Sequence, residues 1–524
     1  MLLAVAAVFV GSQACQPCHA SIVKSYQQTP MARSSGPAKS IALPAVRFSA
    51  GGHDYRIDSG RLIFQAVGKE VAIPIDFFIG SGSAGRSFVV AREPLAAEKT
   101  ARSRLVGEGS GVAGESPAFS GQRLLFELPV TWYARKNLWD ASPGYEHEPE
   151  IRLNRAVEPS CLFCHASRVR PIFRSQNRYA DPPFLESGIG CERCHGPGGQ
   201  HVRDPKIAPL VNPAKLAPEL RDSVCSQCHL TGVARIERAG RRIGEFQAGK
   251  PLAEFATYFV REGFVRDSAS DTTNGALKVT SHVERLASSA CKRTSGDRLW
   301  CGTCHDPHAA DQVAATRHKT QAACMSCHPT AKHNAPMGER LCADCHMPKS
   351  QVTDAGHSVM TDHAILLDRT AGSRVRTGGR LVAFLGTADD RALGLAYAEL
   401  GDPRTREYLL RAKPVDAEVR LRLAASEPNP ARATKLYESV LRDNPAQPAA
   451  LVNLGSLYAQ TGRLEDAAAL WRRALENNPG IEEAALNLAR IVRPEEAKSV
   501  LTRYLEFNPG SRAAQARLDS ISAR

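Results

Sequence analysis

The pattern of hydrophobic and polar positions divides the 524-residue chain into three stretches. Residues 55–134 contain short runs rich in β-branched and aromatic side chains, such as RLIFQAV and VAIPIDFFIG, which predict antiparallel strands. From about residue 368 onward, apolar side chains recur with the period of a helix. Residues 135–367 are rich in proline, glycine and aspartate and show neither the alternation of a strand nor the period of a helix. We therefore predict a mostly α fold, in which a loop-rich region with a small inserted β-module precedes a helical C-terminal region.

The helical region contains an internal repeat. Residues 448–479 fit one tetratricopeptide repeat, a unit of two helices that recurs about every 34 residues. The matching positions are Leu451, Leu454, Gly455, Tyr458, Ala467, Trp471, Ala474 and Pro479. Shortened half-matches precede and follow this unit, so we predict an α-solenoid of about three or four repeats in residues 368–524. Such a stack can be a structural cap, but its concave surface favours the docking of a protein partner.

One short motif, C-x-x-C-H, occurs seven times in the rest of the chain. It reads CQPCH at 15–19, CLFCH at 161–165, CERCH at 191–195, CSQCH at 225–229, CGTCH at 301–305, CMSCH at 324–328 and CADCH at 342–346. The seven copies use all but one of the 15 cysteines, and only Cys291 lies outside them. C-x-x-C-H is the attachment site of a c-type haem, because two thiols can add to one porphyrin while the histidine binds the iron.

The motif therefore predicts seven covalently bound c-type haems. The thioether cysteines would be Cys15, Cys18, Cys161, Cys164, Cys191, Cys194, Cys225, Cys228, Cys301, Cys304, Cys324, Cys327, Cys342 and Cys345. The proximal iron ligands would be His19, His165, His195, His229, His305, His328 and His346. Zinc is one alternative, but a zinc site needs no histidine directly after the second cysteine of every pair. A redox-active C-x-x-C is another, and it calls for one motif near a βαβ pattern.

Seven six-coordinate haems would also need distal ligands. Nine histidines lie outside the motifs, all of them before the repeats. The candidate distal ligands are His53, His201, His282, His308, His318, His333, His357, His363 and Met31. A methionine ligand would raise the potential of its haem. We expect Cys291 to be a buried structural thiol, although Lys292 and Arg293 beside it would favour a reactive thiolate.

The net charge of +13 is explained by the same cofactor. Seven haems carry about fourteen propionates, which would balance the basic excess, so nucleic acid is not expected as a partner. Residues 1–12 resemble the remnant of a signal segment and are too few to span a bilayer. Because c-type haem is attached outside the cytoplasmic membrane, we expect a protein of the periplasm or cell envelope, associated with a membrane only through a partner.

The predicted organisation follows from these features. The signal remnant occupies residues 1–12, the first haem site residues 13–54, the β-module residues 55–134, a domain with six haem sites residues 135–367, and the repeats residues 368–524.

Three segments carry a family resemblance. CERCHGPGGQHV, CGTCHDPH and CADCHMPKS resemble the exported multihaem c-type cytochromes with doubled C-x-x-C-H motifs, the group of cytochrome c-prime, cytochrome c nitrite reductase and hydroxylamine oxidoreductase. The resemblance implies stacked haem pairs with bis-histidine iron that pass electrons along a wire. The nitrite reductases typically carry a lysine in place of one motif histidine, and no C-x-x-C-K occurs here. Hydroxylamine oxidoreductases depend on a cross-linking tyrosine and usually eight haems, whereas seven sites are present here.

Electron transfer is the leading interpretation. The protein would exchange electrons with a redox protein donor and acceptor, and the repeats would dock a partner. The alternative is a multihaem reductase or oxidase that acts on a small nitrogen or sulfur compound at one haem with an open coordination position. A scaffold in which the haems are only structural is a third, less favoured class.

Overall fold

The computed structural model describes residues 8–94, 121–206, 208–262, 278–330, 339–366 and 379–523. Within these residues the strands form four antiparallel sheets. The strands are β1 Ser35–Pro37, β2 Val46–Ala50, β3 His53–Asp58, β4 Arg61–Ala66, β5 Lys69–Pro74, β6 Phe77–Ile79, β7 Gly85–Arg92, β8 Gln122–Tyr133, β9 Leu138–Ala141, β10 Ala166–Pro171, β11 Arg178–Ser187, β12 Ala234–Glu237, β13 Ala256–Arg261, β14 Lys349–Gln351, β15 Val359–Thr361 and β16 Leu381–Leu385.

The largest sheet is built around β8. Its strand order is β1-β6-β7-β8-β11-β10, and β9 pairs with β8 as well. Side chains alternate between the two faces of a strand. One face of β8 packs in a common core with the four-stranded sheet β2–β5 through Leu124, Phe126, Leu128 and Val130. The opposite face carries Glu127, Thr131 and Tyr133, which line a large cavity described below.

The predicted β-module is part of this larger arrangement. The described residues 55–94 and 121–134 contain strands, and the sheets begin at Ser35 and extend to Ser187 in the loop-rich region. There Arg178 on β11 pairs with Leu124 on β8. A local sequence pattern does not reveal pairing between segments so far apart, which is why the prediction missed it. The fold is therefore mixed α and β, rather than mostly α.

Short helices carry the C-x-x-C-H motifs. The helices before residue 366 are α1 Gln16–Tyr26, α2 Pro159–Leu162, α3 Glu192–His195, α4 Gly199–Arg203, α5 Pro218–His229, α6 His282–Ser288, α7 Ala290–Ser295, α8 Cys301–Cys304, α9 Gln312–Cys327 and α10 Cys342–His346. Each of the seven motifs lies on one of these helices or continues from its end. Residues three apart on a helix share one side, so both cysteines of a motif can reach one porphyrin.

The C-terminal region is helical. Its helices are α11 Asp390–Glu399, α12 Thr405–Arg411, α13 Ala417–Ala425, α14 Pro430–Asp443, α15 Pro448–Gln460, α16 Leu464–Asn477, α17 Glu482–Ile491, α18 Pro494–Phe507 and α19 Arg512–Ser522. The apolar repeat positions Leu451, Leu454, Ala467 and Trp471 are buried in one core. A Cβ atom at Gly455 would lie 2.6 Å from Nε1 of Trp471, so the close packing of α15 on α16 requires glycine there.

The helical region joins the rest of the protein at two places. At its start, β16 pairs with β13 in a three-stranded sheet with β12. Near its end, Phe507 enters the core of the β8 sheet. Within the described residues, no helix combines the length and the apolar character needed to span a membrane.

Candidate haem-binding cavity

One cavity of about 3210 Å³ brings the seven C-x-x-C-H motifs together. All seven motif histidines line it, and so do the motif cysteines except Cys18 and Cys345. These histidines range in sequence from His19 to His346, so the tertiary fold creates the cavity from distant segments. Groups attached at the seven motifs would share one interior.

The lining of the cavity fits haem. The large apolar side chains Ile22, Val313 and Met325 lie on it and are 47%, 73% and 41% exposed. Leaving such side chains in water is unfavourable, and an apolar macrocycle would cover them. In the part of the chain that the structure describes, no three Cys, His, Asp or Glu side chains converge on a site for a bare metal ion.

Basic side chains on the lining suit the haem propionates. They are Arg86, Arg135, Arg155, Arg193, Arg298, Arg317, Lys319 and Lys349. Such side chains could pair with haem propionates, although Arg155 and Arg317 already pair with Glu127 and Asp344.

Backbone carbonyls orient two of the motif histidines. Nδ1 of His195 lies 2.7 Å from the carbonyl oxygen of Val211, and Nδ1 of His346 lies 2.7 Å from that of Leu366. A carbonyl oxygen only accepts hydrogen bonds, so Nδ1 carries the hydrogen in both rings. Nε2 is then the basic nitrogen, which is the usual arrangement for a metal-binding histidine.

Two candidate distal histidines face motif histidines across the cavity. The ring centroids of His308 and His195 are 6.0 Å apart, with an angle of 17° between the ring planes. Those of His363 and His305 are 6.2 Å apart, with an angle of 23°. Two imidazole–metal bonds of about 2.0 Å, together with the ring radii, separate two axial rings by roughly 6 Å. Both pairs therefore have the spacing that bis-histidine ligation needs.

A third candidate, His282, is packed among other histidines. Its ring centroid lies 5.1 Å from that of His229 and 4.8 Å from that of His363. Burial, reinforced by the neighbouring histidines, lowers the pKa of His282 to about 2. Burial and His305 lower the pKa of His363 to about 4. These imidazoles are thus neutral near pH 7, which is the form that binds metals.

Two further candidates line the cavity. Met31 lies in the loop after α1, where the hydroxyl of Ser34 donates to the carbonyl oxygen of His165 at 2.9 Å. Nδ1 of His201 lies 3.0 Å from the carbonyl oxygen of Ala208, so Nε2 is again the basic nitrogen.

The other candidates lie elsewhere. His53 is on β3 and His318 is exposed on α9, and neither lines the cavity. His357 is held outside the cavity by Asp140, whose carboxylate lies 2.6 Å from Nε2. His333 lies outside the described residues. Spacing from the nearest motif, the basis of the prediction, could not separate these histidines from those that the fold turns inward.

Three family models match parts of the chain. The tetratricopeptide repeat matches residues 424–491, the doubled CXXCH motif residues 293–333, and cytochrome c554 and c-prime residues 137–196. The multiheme cytochrome MtrA of Shewanella baltica (strain OS185) is 28% identical over 210 residues. The chain is a multihaem c-type cytochrome with tetratricopeptide repeats.

The similarity to known proteins is partial. The match to MtrA covers 37% of the cytochrome and 47% of MtrA, so the cytochrome spans about half the length of that curated relative. Among solved structures, the outer cell wall cytochrome OcwA has a TM-score of 0.41 and 14% identity, over 90% of this chain and 99% of that chain. The structure MamA MSR-1 C2 has a TM-score of 0.23 and 22% identity, over 26% of this chain and 83% of that chain.

Contacts between motifs give their spatial order in the cytochrome. The Sγ atom of Cys164 lies 3.9 Å from the carbonyl oxygen of Gln227. Three other thiols have a motif cysteine near enough to raise their pKa: Cys191 acts on Cys15, Cys301 on Cys225, and Cys342 on Cys324. The side chain of Gln227 also donates to the carbonyl oxygen of Arg193 at 3.3 Å. Motif 225–229 therefore contacts motifs 161–165, 191–195 and 301–305, and it lies at the centre of the set.

Cys291 lies on the wall of the same cavity. It is partly buried rather than fully buried. Its thiol is close enough to raise the pKa of Cys304 and of Cys324. The one cysteine that belongs to no motif therefore lies between motif 301–305 and motif 324–328.

A buried ion pair joins the segments that carry His282 and His363. Arg285 Nε lies 2.9 Å from Asp362 Oδ1, and Arg285 Nη2 lies 2.5 Å from Asp362 Oδ2. Both side chains are buried. Arg285 follows His282 by three positions on α6, and Asp362 directly precedes His363. Sequence reasoning missed this pair, although a charged residue close to each predicted ligand was a signal that could have found it.

Proposed function

We propose that the cytochrome relays single electrons through seven covalently bound c-type haems. The observation that carries the proposal is the single cavity that all seven motif histidines line. Bound haem supplies iron that accepts or releases one electron at a time. The chain's own residues hold it: the motif cysteines form the thioether bonds, the motif histidines ligate the iron, and backbone carbonyls fix the ring tautomer.

Three distal ligands are proposed from the positions of their rings. His308 serves the iron of motif 191–195, His363 that of motif 301–305, and His282 that of motif 225–229. Centroid distances of 6.0 and 6.2 Å to the respective motif histidines support the first two assignments. His282 is proposed for motif 225–229 because it lines the cavity and its ring lies beside that of His229, at a centroid distance of 5.1 Å. Met31 and His201 are proposed for two of the remaining motifs, because both line the cavity.

The relay is branched. The neighbouring motif cysteines support a path from motif 15–19 through 191–195, 225–229, 301–305 and 324–328 to 342–346. The step from 301–305 to 324–328 rests on Cys304, which is near enough to Cys324 to raise its pKa. Motif 161–165 is a branch at motif 225–229. Motifs 15–19 and 342–346 are the two ends of this path. Electrons would therefore enter and leave near the ends and at the branch, while motif 225–229 distributes them.

The proposed location is the periplasm or cell envelope, because covalent haem attachment takes place outside the cytoplasmic membrane. A redox protein donor and a redox protein acceptor are the expected partners. The tetratricopeptide match at 424–491 supports a further role of the repeats in docking a protein partner.

An enzyme remains the second candidate, on one observation. In the described residues five candidate distal side chains line the cavity together with the seven motif histidines. One iron with an open position could then reduce or oxidise a small nitrogen or sulfur compound. A high-spin signal in the electron paramagnetic resonance spectrum of the oxidised wild-type protein would favour this reading, and a wholly low-spin spectrum would favour the pure carrier.

Replacing both Cys324 and Cys327 by alanine is expected to remove one of the seven haems, because both thioether bonds of one motif are lost. Intact-mass spectrometry of the purified protein counts the haems. Cys291→Ala is the matched control, since it removes a thiol of the same cavity that belongs to no motif, and all haems should stay. An unchanged count in the double variant would contradict the assignment.

Replacing His308 by alanine is expected to convert one haem from low-spin to high-spin without changing the haem count. The reason is that the iron of motif 191–195 loses its strong-field distal imidazole. Electron paramagnetic resonance of the oxidised protein measures the change. His318→Ala is the control, because His318 is exposed on α9 and does not line the cavity. A low-spin His308 variant, or an equal change in the control, rejects the pairing.

A further inference from the structure

A positively charged surface with one exposed aromatic side chain lies beside motif 161–165. The turn between β10 and β11 presents Phe173, which is 71% exposed. The guanidinium carbons of Arg174 and Arg242 lie 5.0 and 5.4 Å from the centroid of the Phe173 ring. Arg241, next to Arg242, is also exposed. We call the surface formed by Phe173, Arg174, Arg241 and Arg242 the basic tip.

The charge of the basic tip is not neutralised inside the protein. In the part of the chain that the structure describes, no carboxylate lies within 4.0 Å of the guanidinium nitrogens of Arg174, Arg241 or Arg242. The nearby Glu245 accepts a hydrogen bond from the backbone N–H of Arg242, at 3.3 Å. None of the three arginines lines the cavity, so haem propionates do not account for them. This part of the basic excess faces solvent, which the sequence-based charge balance did not foresee.

The basic tip is directly connected to the branch of the relay. Strand β10, which leads to Phe173, begins immediately after His165. Ile243, which follows Arg242, packs in the same apolar cluster as Phe163. Phe163 lies between the two cysteines of motif 161–165. The basic tip is therefore connected to this motif through β10 and through the cluster that holds Ile243 and Phe163, and a protein bound at the tip would lie on the side of the branch.

We propose that the basic tip docks an acidic redox protein, which exchanges electrons with the haem held by motif 161–165. The inference rests on the proposed relay function and adds a partner class and an entry point. In the exchange one electron leaves the reduced partner and reduces one ferric iron to ferrous iron. No bond forms or breaks and no proton is needed. Charge complementarity selects an acidic partner, and the apolar Phe173 ring provides a central contact of the kind found at protein interfaces.

The proposal is tested by reversing the charge of the tip. The variant Arg241→Glu with Arg242→Glu is mixed by stopped flow with a reduced plant-type [2Fe–2S] ferredoxin, an acidic and strongly reducing probe. At about 0.01 M ionic strength, where charges act over about 30 Å, the second-order rate constant should fall at least about tenfold. At about 1 M salt, where the screening length is about 3 Å, wild type and variant should react at similar rates.

A matched control has the same change of charge elsewhere. Arg432→Glu with Lys435→Glu alters two exposed basic residues on α14 of the repeats, and it should keep the wild-type rate constant. Haem mass and reduction by dithionite should be unchanged in both variants, which shows that the haems are intact.

Each other outcome has a definite meaning. A wild-type protein that neither dithionite nor ferredoxin reduces would overturn the relay function itself. A wild-type protein that dithionite reduces but ferredoxin does not would overturn the docking proposal alone. So would an unchanged rate constant in the tip variant, or an equal loss in the α14 variant. Loss of binding to phosphatidylglycerol vesicles by the tip variant, with an unchanged ferredoxin rate, would overturn it in favour of a membrane surface.

Discussion

Replacing Asp362 by alanine is expected to destabilise the folded cytochrome by about 3–5 kcal/mol. Asp362 and Arg285 form a buried pair with two hydrogen bonds of 2.9 and 2.5 Å. Without the carboxylate, the guanidinium of Arg285 stays buried without a counter-charge, which is much less favourable than leaving it in water. Unfolding by urea, followed by circular dichroism, measures the loss of stability.

The same substitution is expected to convert two haems to the high-spin state. The ion pair fastens α6, which begins at His282, to the segment that carries His363. When the two segments separate, both histidines lose their positions opposite His229 and His305. Electron paramagnetic resonance of the oxidised variant should show two high-spin haems, whereas His308→Ala should show one.

A double substitution separates the effect of the ion pair on protein stability from its effect on the positions of His282 and His363. Arg285→Met with Asp362→Leu leaves no buried charge, so it is expected to recover most of the lost stability. The recovery shows that the unpaired guanidinium, rather than a general loss of packing, destabilises the single variant. An Asp362→Ala protein that is as stable as wild type and wholly low-spin would contradict both roles of the pair.

The seven motifs could be recognised from sequence because each is a local chemical unit. Which histidines share the cavity could not, because that depends on the path of the chain between motifs. His308 and His318 illustrate the difference: both lie between motif 301–305 and motif 324–328. His308 lies in a loop, and the hydroxyl of Ser25 on α1 donates a hydrogen bond to the carbonyl oxygen of His308 at 2.6 Å. His318, in contrast, is exposed on α9. A contact between distant segments decides which of the two turns inward.

The same limit applies to the repeats. Local periodicity predicted the buried positions within them correctly, as for Leu454 and Trp471. It did not predict that the turns at 478–480 and 508–510 pack against the segment 151–155. A signal was present, since both turns read Asn-Pro-Gly whereas the turn at 444–446 reads Asn-Pro-Ala. A Cβ atom at Gly510 would lie 2.5 Å from the carbonyl oxygen of Ile151, so glycine there permits the close approach.

Replacing Phe507 by alanine is expected to destabilise the cytochrome by about 3–5 kcal/mol and to loosen the repeats from the β8 sheet. Phe507 is 2% exposed, and its ring meets that of Phe126 edge-to-face at a centroid distance of 5.7 Å. The guanidinium of Arg92 lies 4.9 Å from the same ring. Alanine would leave a cavity at the junction and remove the aromatic and cationic contacts together.

Amide hydrogen exchange shows where the stability is lost. In Phe507→Ala, exchange should become faster in Gln122–Tyr133 and in the segment 151–155, because these residues lose the cover of the repeats. Leu488→Ala is the matched control: Leu488 is buried in the core of the repeats and has no place in the core of the β8 sheet. It should destabilise the repeats by about 2–5 kcal/mol without faster exchange in Gln122–Tyr133.

The comparison also decides what the repeats do for the relay. The opposite face of β8 lines the haem cavity through Glu127, Thr131 and Tyr133. If the repeats no longer pack on this sheet, β8 would become less rigid, and so would the cavity wall that it forms. Faster exchange of β8 in Phe507→Ala alone would mean that the repeats brace this wall while their remaining surface is available for a partner. Equal exchange of β8 in both variants would mean that the repeats are an independent unit.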